Sequence, residues 1–308
     1  MIYDLAIVGG GPAAVAAGVY ASRKRLKTIL IAKDFGGQSS VSTDIQNWIG
    51  TVSISGAKLA ESLKAHLMAY AGDIVTVKEG NLVESVLKSA DGFLVKTANE
   101  SYEAKTVLVA TGSQRRKITV PGADKYENKG IVYCASCDGP LFADMDVAVI
   151  GGGNAGFETA AQLLAYCKSV TLLHKNNEFK ADPVTTKKIL SNPKMRPILN
   201  AEILEIKGLD FVEKLVYRQK DSDKKVELPV QGIFVEVGSM PATGFVSKLV
   251  ELDKIGQVIV DPKNQRTSVE GVWAAGDCTN ALYHQNNIAA GDAVRALEDI
   301  YMYIHTLG

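Results

Sequence analysis

Residues 146–175 read DVAVIGGGNAGFETAAQLLAYCKSVTLLHK, and residues 4–33 read DLAIVGGGPAAVAAGVYASRKRLKTILIAK. The two stretches align without a gap. In each, an apolar strand runs into a glycine cluster, an alanine-rich helical segment follows, and a second β-branched, apolar strand ends the unit. This order is typical of the βαβ unit that binds dinucleotides. One such cluster is also typical of an ordinary tight turn, but two in register predict two nucleotide-binding units.

The glycines of each cluster have separate physical tasks. The first permits a tight turn, the second lets the backbone approach a pyrophosphate, and the third lets the helix pack closely on the strand. The N-terminus of that helix then presents unpaired N–H groups and a positive dipole end to the phosphates. The three positions are Gly151, Gly153 and Gly156 in the second unit, and Gly9, Gly11 and the variant Ala14 in the first.

Composition narrows the class of protein. The chain has 308 residues, of which 46% are hydrophobic and 22% charged, and its formal net charge is zero. These values are ordinary for a globular protein and give no indication of a nucleic-acid surface. No apolar run reaches the roughly 20 residues of a membrane span, and the N-terminus reads as a strand rather than a signal peptide. With four cysteines and no disulfide framework, we expect a protein of the reducing cytoplasm.

The remaining segments predict the domain organisation. Residues 82–104 alternate apolar and polar side chains around Asp91-Gly92, which indicates a hairpin, and residues 201–239 form a comparable meander. No third glycine fingerprint follows, so we expect the C-terminal part to rejoin the first domain through linkers near 113–117 and 239–243. The predicted fold class is α/β, with two Rossmann-like (three-layer ββα) dinucleotide-binding domains, the second inserted into the first. The predicted bounds are 1–114 and 242–308 for the first domain and 115–241 for the second.

A cysteine pair stands just before the second unit, in YCASCDGPLF at residues 133–142. Cys134 and Cys137 have two interpretations, half of a zinc site and a redox pair. A structural zinc site needs four ligands, and Cys167 and Cys278 have no ligand-spaced partner. A two-residue separation permits a reversible disulfide, and a following turn of helix lowers the pKa of a thiolate. The pattern therefore favours redox chemistry without a metal. It leaves Cys167, which is predicted late in a helical stretch, and Cys278 as packing residues.

Asp138 directly follows the second cysteine of the pair. A carboxyl group at this place is a natural proton partner for a dithiol. Aspartate is also a favoured helix cap, which is the structural alternative for this residue. Sequence reasoning leaves both roles open.

These motifs together resemble a known family. The residues that carry the resemblance are GGGPAA, GGQ at Gly36–Gln38, Asn47, ATG at Ala110–Gly112, CASCDG, GGGNAG and AAGD. Over essentially its whole length the chain resembles the small-subunit bacterial thioredoxin reductases. It is nearly as similar to the C-terminal portion of the alkyl hydroperoxide reductase flavoproteins.

The resemblance implies that the first domain holds FAD and the inserted domain a pyridine nucleotide. It implies that Gln38, Thr43 and Asn47 line the flavin, that Asp277 bonds the ribityl chain, and that His284 and Gln285 lie beside the isoalloxazine. A C-terminal helix, which the sequence predicts to begin near Asn287, would point its N-terminus at the flavin. The implied FAD residues are Gly9, Gly11, Pro12, Ala13, Gly37, Gln38, Thr43, Asn47, Ala110, Thr111, Gly112, Gly276, Asp277, His284 and Gln285. The implied pyridine-nucleotide residues are Gly151, Gly153, Asn154, Ala155, Gly156, His174, Lys175 and Lys180.

The resemblance also implies the chemistry. Cys137 would face the flavin and Cys134 would attack the partner disulfide, so the dithiol would meet the flavin and a protein substrate in turn as one domain rotates. We therefore expect a thioredoxin-disulfide reductase that is a cytoplasmic homodimer. Because the extra N-terminal domain of the peroxide-reductase flavoproteins is missing, we expect a separate thioredoxin-like protein as acceptor. The alternative is a flavin-dependent dithiol protein that does not use NAD(P)H, either reduced by ferredoxin or acting as a dithiol oxidase.

The residue at the end of the second strand of each unit helps to determine which coenzyme binds there. NAD-binding units usually carry an acid there, whereas this chain has His174, followed by Lys175, Asn176 and, further on, Lys180. The family pattern for NADPH has histidine at the first of these positions and arginine at the other three. Positive charge is kept at Lys175 and Lys180, but Asn176 replaces one arginine and the bidentate fork is lost. The pattern favours NADPH and leaves NADH open. In the first unit the matching residue is Ala32, with Asp34 only nearby, so the sequence does not predict the usual acid contact to the FAD ribose.

Overall fold

The computed structural model describes residues 2–42, 44–220 and 222–306. The chain divides into two compact units, which are described separately. The first consists of residues 1–43, 47–114 and 240–308, and the second of residues 44–46 and 115–239. The second unit thus lies in the chain between two pieces of the first, apart from the short segment 44–46. The nucleotide that each predicted domain binds stays a prediction.

The first piece of the first unit is a βαβ unit followed by an antiparallel extension. A short 3₁₀ turn, Gly37–Val41, follows the second strand. The elements are β1 (Ile2–Val8), α1 (Pro12–Arg23), β2 (Thr28–Ala32), α2 (Gly56–Ala71), β3 (Val75–Glu79), β4 (Val83–Ser89), β5 (Gly92–Thr97), β6 (Ser101–Val109) and β7 (Ser113–Arg115).

The second unit repeats this plan. A 3₁₀ turn, Gly139–Phe142, follows its first helix. The elements are β8 (Ile131–Val132), α3 (Ala135–Asp138), β9 (Asp146–Ile150), α4 (Asn154–Leu163), β10 (Ser169–Leu173), α5 (Pro183–Leu190), β11 (Met195–Ile198), β12 (Ala201–Gly208), β13 (Val212–Gln219), β14 (Lys224–Pro229) and β15 (Gly232–Val235).

The chain then returns to the first unit. β16 (Ser239–Pro241) pairs with β7 in a two-stranded sheet. A 3₁₀ turn at Gly244–Val246, β17 (Val272–Ala274) and the long helix α6 (Asn286–Thr306) complete the described elements. The sequence predicted a helix beginning near Asn287, one residue from the observed start.

The main sheet of the first unit has the order β3-β2-β1-β6-β5-β4, and β17 also pairs with β6. β1, β2, β3, β6 and β17 run parallel, whereas β4 and β5 pair antiparallel around Gly92. Helices α1 and α6 pack on one face of this sheet through a core that includes Leu30, Leu108 and Leu297. The opposite face packs a second core with Phe93 and Val258.

The second unit has a parallel sheet of order β11-β10-β9-β15-β8 and a separate antiparallel sheet of order β12-β13-β14. Side chains along β9 alternate between two cores, as expected for a strand that is buried on both faces. Val147 and Val149 pack toward α4 with Phe157, whereas Ala148 and Ile150 pack toward the antiparallel strands. The unit therefore has three layers, with helices on one side of the parallel sheet and antiparallel strands on the other.

Candidate functional site

Cys134 and Cys137 form a disulfide with a Cα–Cα distance of 5.3 Å. The four-residue helix α3 begins directly after Cys134, which occupies the N-cap position. The Cys137 N–H donates to Cys134 Sγ at 3.2 Å, and the Asp138 N–H donates to the Cys134 carbonyl at 2.9 Å. The spacing of the motif is thus what a turn of helix needs to bring the two sulfurs together.

Asp138 is partly buried beside this pair. Burial raises the pKa of its carboxyl to about 6, and the positive charge of Arg115 opposes part of the rise. A carboxyl with a pKa near neutrality can both release and accept a proton under physiological conditions. Asp138 also holds the N-cap position of the 3₁₀ turn Gly139–Phe142, but its side chain makes no capping hydrogen bond there, so the two roles proposed for it stay predictions.

Two residues that sequence reasoning missed hold the dithiol helix against the end of α4. Ser136 Oγ donates to Gln162 Oε1 at 2.7 Å, and the Tyr166 hydroxyl donates to the Ala135 carbonyl at 3.3 Å. A side chain at Gly139 would place its Cβ 2.1 Å from the same hydroxyl. Gln162 lies 26 positions after Ser136, and Tyr166 lies 31 positions after Ala135, so no local spacing predicts these contacts and they follow only from the fold.

The second glycine turn has the geometry of a nucleotide cradle. Gly151 has a φ of +124°, and a Cβ there would lie 2.1 Å from the Glu236 carbonyl oxygen. A Cβ on Gly156 would lie 1.8 Å from the Gly151 carbonyl oxygen, so the helix packs on the turn without a side chain between them. A Cβ on Gly153 would meet nothing within 4 Å. Gly153 therefore leaves room on the ligand side of the turn.

The segment after β10 passes over this turn. The Lys180 N–H donates to the Gly152 carbonyl at 2.8 Å, and the Asp182 N–H donates to Asn154 Oδ1 at 2.9 Å. Ala155, predicted beside Asn154, is exposed in the first turn of α4. Asn154 thus ties the segment to α4, while Lys175 and Lys180 keep exposed side chains.

His174 is buried at the end of β10. Its Nδ1 accepts a hydrogen bond from the Gly152 N–H at 3.1 Å. Burial lowers the pKa of the imidazole, and the charges of Lys180 and Lys175 lower it further. A neutral ring that accepts at Nδ1 carries its proton at Nε2, and among the described residues this buried Nε2 has no partner. The turn, the open Gly153 and this unpaired donor together fit a pyridine nucleotide.

The first glycine turn is similar but not identical. Gly9 has a φ of +135°, and a Cβ there would lie 2.2 Å from the Ala110 carbonyl oxygen. A Cβ on Gly11 would meet only the Gly37 Cα, at 3.9 Å. Pro12 begins α1, and Ala13 and Ala14 are buried in its first turn. The methyl of Ala14 is therefore accommodated where the second unit has glycine.

Neighbouring loops of the first unit bring distant predicted residues together. Gln38 Nε2 donates to Ser113 Oγ at 3.1 Å and to Asp277 Oδ2 at 3.4 Å. Asn47 Nδ2 donates to Gln285 Oε1 at 3.1 Å. Thr43, which was predicted to line the flavin, lies outside the described residues.

The strand ends beside these loops are also open. Thr111 Oγ1 donates to the Ala242 carbonyl at 2.8 Å. Gly112 has a φ of +66°, and a Cβ added there would meet nothing within 4 Å. Gly276 has a φ of +78°. The His284 Nε2 atom is buried, and no hydrogen-bond partner is present for it in the part of the chain that the structure describes. An open cradle with an unpartnered buried ring nitrogen fits FAD in this unit.

Sequence reasoning missed the polar contacts that fasten the start of α6. Ser39 Oγ donates to Asn286 Oδ1 at 3.0 Å, and Asn287 Nδ2 donates to the Asn47 carbonyl at 2.7 Å. These bonds fix Gln285 and His284 just before the helix. The polar run His284 to Asn287 was an indication that this segment makes hydrogen bonds. Its partners, however, lie some 240 positions earlier in the chain.

The other two cysteines are free and fully buried. Cys167 Sγ donates to the Phe142 carbonyl at 3.3 Å and Cys278 Sγ to the Val109 carbonyl at 3.5 Å. Burial raises the pKa of each thiol to about 11, so neither is a ready nucleophile. Cys167 was predicted late in a helix, but α4 ends at Leu163 and Cys167 lies in the turn before β10.

Residues 2–42, 44–220 and 222–306 contain no candidate metal-ligand group and no candidate membrane-spanning helix. No three or more His, Cys, Asp or Glu side chains in these ranges are grouped so that they could hold a metal ion. No helix in the same ranges combines the length and the apolar composition that a membrane span requires.

Comparison with known proteins agrees with this geometry. A family model described as pyridine nucleotide-disulphide oxidoreductase matches residues 3–295. The chain is 38% identical over 303 residues to a protein named NADH dehydrogenase from Bacillus subtilis, covering 98% of this chain and 58% of that protein. It is 40% identical over 304 residues to an alkyl hydroperoxide reductase component from Escherichia coli, covering 98% of this chain and 58% of that protein. The chain thus spans less than two thirds of these curated relatives.

A solved structure of thioredoxin reductase from Streptococcus pyogenes matches with a TM-score of 0.92 and 34% identity, over 99% of both chains. This match confirms the predicted fold class, α/β with parallel-sheet Rossmann-like domains. The resemblance to both kinds of flavoprotein that the sequence indicated is confirmed as well. The chain therefore belongs to the pyridine nucleotide-disulphide oxidoreductase family, and the description of that family agrees with the class of activity that the sequence predicts.

Proposed function

Because the chain belongs to the pyridine nucleotide-disulphide oxidoreductase family, we propose that it is an FAD-containing thioredoxin-disulfide reductase. It would pass electrons from a pyridine nucleotide through the Cys134–Cys137 pair to a thioredoxin-like protein. One observation carries the proposal. A disulfide beside a carboxyl whose pKa is about 6 lies in the same compact unit as an intact nucleotide turn. The match to a thioredoxin reductase over 99% of both chains supports the acceptor.

The first unit is proposed to hold FAD. Gly9 and Gly11 would leave the backbone open to the pyrophosphate at the start of α1, and Gln38, Asp277 and the His284 Nε2 would supply polar contacts. FAD, when bound, supplies a two-electron carrier that links a hydride donor to a disulfide.

Cys134 and Cys137 can reduce an acceptor disulfide by thiol–disulfide exchange. Two electrons and two protons open the S–S bond to give two thiols. The Cys134 thiolate then attacks a sulfur of the acceptor disulfide and forms a mixed disulfide, while the departing acceptor sulfur takes a proton. Cys137 attacks Cys134 Sγ, reforms the internal disulfide and releases the second acceptor sulfur. Asp138 would hold the proton that Cys137 or the leaving sulfur exchanges, since its pKa lies near 6.

We propose NADPH as the preferred electron donor, with NADH as the competing one. An acid that would repel the 2′-phosphate is missing at the end of β10, where the neutral His174 instead presents an Nε2–H donor. Lys175 and Lys180 add exposed positive charge beside it. The B. subtilis relative is named NADH dehydrogenase, so the choice between the two nucleotides must be measured.

A homodimer working in the cytoplasm completes the proposal. The first unit exposes large apolar side chains on the loops next to the start of α6, where Ile49 is 81% and Leu282 82% exposed. The Ile49 N–H donates to Asn287 Oδ1, so these loops lie together. Apolar exposure of this kind is typical of protein interfaces. A redox-active dithiol with two further free thiols suits a reducing compartment.

Anaerobic titration of the purified protein tests the proposal. We expect a yellow protein whose flavin absorbance is bleached by one equivalent of NADPH per two electrons, more readily than by NADH, and which then reduces an added thioredoxin. A colourless protein that FAD does not reconstitute would overturn the proposal. A yellow protein that neither nucleotide bleaches would point instead to reduction by ferredoxin or to oxidation of a dithiol by oxygen.

A further inference from the structure

The pyridine-nucleotide unit carries a carboxyl group that the reaction above does not use. Glu236 directly follows β15, and Gly151 directly follows β9. The two strands are parallel neighbours, with Val235 opposite Ile150. The Glu236 N–H donates to the Ile150 carbonyl at 2.8 Å, and the Glu236 carbonyl oxygen lies where a Gly151 side chain would begin. The backbone of Glu236 therefore forms one wall of the second glycine turn.

The strand order of the sheet places Glu236 at a ligand-binding edge. The strand order is β11-β10-β9-β15-β8, so the chain leaves β9 toward β10 on one side and later adds β15 on the other. Open parallel sheets bind ligands beyond the carboxyl ends of their strands, at the point where the strand order reverses. In this unit that point lies between β9 and β15. Glu236 stands at its edge.

The carboxyl is held in a defined orientation. Thr159 Oγ1 donates to Glu236 Oε1 at 2.7 Å, and Thr159 is itself buried in α4, the helix that begins at the glycine turn. Burial raises the pKa of Glu236, and the Thr159 hydrogen bond and the charge of Arg115 oppose the rise. A partly desolvated carboxyl gains free energy from any donor or positive group that reaches its remaining acceptor sites.

The two halves of a dinucleotide would lie on opposite sides of the turn. The pyrophosphate belongs at the start of α4, and the adenosine ribose belongs at the end of β10, where His174 lies. The nicotinamide half is left for the side of β15, where Glu236 lies. The carboxamide of nicotinamide has two N–H donors, and the oxidised ring carries a positive charge. Both features complement a carboxylate.

Resting on the proposed function, we propose that Glu236 is a specificity-determining residue that accepts a hydrogen bond from the nicotinamide carboxamide, and that Thr159 positions it. The site would select the amide form of the nucleotide. A nicotinic acid nucleotide, in which a carboxylate replaces the carboxamide, would bring two negative groups together. Glu236→Gln keeps the size and the Thr159 contact, because the glutamine carbonyl still accepts, and it replaces the charge with an N–H donor.

Binding to the FAD-loaded, oxidised protein tests this inference without turnover. Titration calorimetry would compare NADP⁺ and NAD⁺, each with its nicotinic acid analogue. We expect the wild type to prefer the amide by about ten- to a hundredfold, the range for hydrogen bonds to charged groups. In Glu236→Gln the preference should fall below about threefold, because the analogue gains binding. Glu213→Gln, a matched change at an exposed glutamate of β13, should keep the wild-type ratio.

A second variant separates orientation from charge. Thr159→Val keeps the Glu236 carboxylate but removes the hydroxyl that orients it. The preference for the amide should therefore fall to a value between those of the wild type and Glu236→Gln. Flavin content and thermal unfolding would show that this variant is folded. An unchanged ratio in Glu236→Gln, with normal nucleotide binding, would overturn the inference and leave the proposed function standing. If the wild type binds none of the four nucleotides, the proposed function fails and this inference fails with it.

Discussion

The two glycine turns have the same backbone and different surroundings. In each, the carbonyl of the middle glycine accepts a hydrogen bond from the segment after the second strand. Gly10 accepts from the Gly36 N–H at 3.0 Å, and Gly152 accepts from the Lys180 N–H at 2.8 Å. The first partner has no side chain and a φ of +96°. The second is a lysine, whose side chain remains available to a ligand.

The atoms that pack behind the middle glycine also differ between the two turns. A Cβ on Gly10 would lie 1.9 Å from the Asp34 carbonyl oxygen, which is backbone. A Cβ on Gly152 would lie 2.5 Å from Phe179 Cδ1 and 2.8 Å from His174 Cγ, which are side chains. The first turn is thus enclosed by the main chain of Asp34 and the Cβ of Ala32, as suits a resident cofactor held through N–H groups. The second is enclosed by side chains that can read an exchanging nucleotide.

Adding a methyl group on the open side of one turn should weaken ligand binding at that turn alone. This is the largest effect that we expect. Gly11 and Gly153 have φ values of −79° and −95° and no close neighbours, so alanine fits at both. We expect Gly153→Ala to keep the flavin but weaken nucleotide binding at least about a hundredfold, since its methyl occupies space that the phosphates need. Gly11→Ala should lose FAD instead. Flavin absorbance and nucleotide titration of the two variants provide the measurement.

Folding is the control for this pair. Both variants should unfold within about 0.5 kcal/mol of the wild type when both are stripped of ligand. Equal loss of FAD and of nucleotide in either variant would show that the two turns do not serve separate ligands.

The third position of each turn should differ in stability. A Cβ on Gly156 would lie 1.8 Å from the Gly151 carbonyl oxygen, so Gly156→Ala should lower the free energy of unfolding by about 3 kcal/mol. Ala14→Gly changes the first turn in the opposite sense and should cost only about 1 kcal/mol, the ordinary penalty of glycine in a helix. Urea unfolding of both variants measures the difference, and similar losses would mean that the helices pack equally closely.

Much of this could be predicted from local sequence. The glycine turns, the βαβ order, the cysteine pair and the hairpin at Gly92 all follow from spacing, because each depends on residues within one turn or one strand. These features fix the fold class. They also fix which residues can stand at the carboxyl ends of β1 and β9.

What could not be predicted depends on contacts between distant segments. Tyr166 and Gln162 brace the dithiol helix, and Glu236 meets Thr159, but no pattern in the sequence pairs them. The raised pKa of Asp138 depends on burial, which spacing does not report. The helix predicted around Cys167 ended earlier because the chain must turn at residues 164–168 to enter β10.

The lysines of the second turn should have a moderate effect on coenzyme choice. Lys175 and Lys180 are exposed, so the contact of each with a 2′-phosphate is weakened by solvent. We expect Lys175→Ala combined with Lys180→Ala to raise the KM for NADPH about tenfold and to leave the KM for NADH within about twofold. Lys33→Ala, at the matching place after the second strand of the first unit, is the control. An equal rise for both nucleotides would show that these lysines do not read the phosphate.

The carboxyl beside the dithiol should give a small pH dependence of stability. The pKa of Asp138 is about 6 in the folded protein and about 3.9 in an unfolded chain. Between these values the folded state binds more protons, so the free energy of unfolding should fall as the pH rises from about 4 to 6. Because Asp138 is partly exposed, we expect about 1 kcal/mol. Asp138→Asn should remove this component, and an unaltered pH profile in that variant would contradict the assignment.

Stopped-flow absorbance of Cys137→Ser tests most directly whether electrons leave through the dithiol. The nucleotide turn and the FAD cradle are untouched, so NADPH should bleach the flavin at about the wild-type rate, while reduction of an added thioredoxin should be abolished. Cys134→Ser should also block thioredoxin reduction, Asp138→Asn should slow it about 10²–10⁴-fold, and Cys167→Ala, at a buried free cysteine, should leave it intact. If Cys137→Ser still reduces thioredoxin at close to the wild-type rate, electrons do not pass through this pair, and the proposed reductase mechanism is wrong.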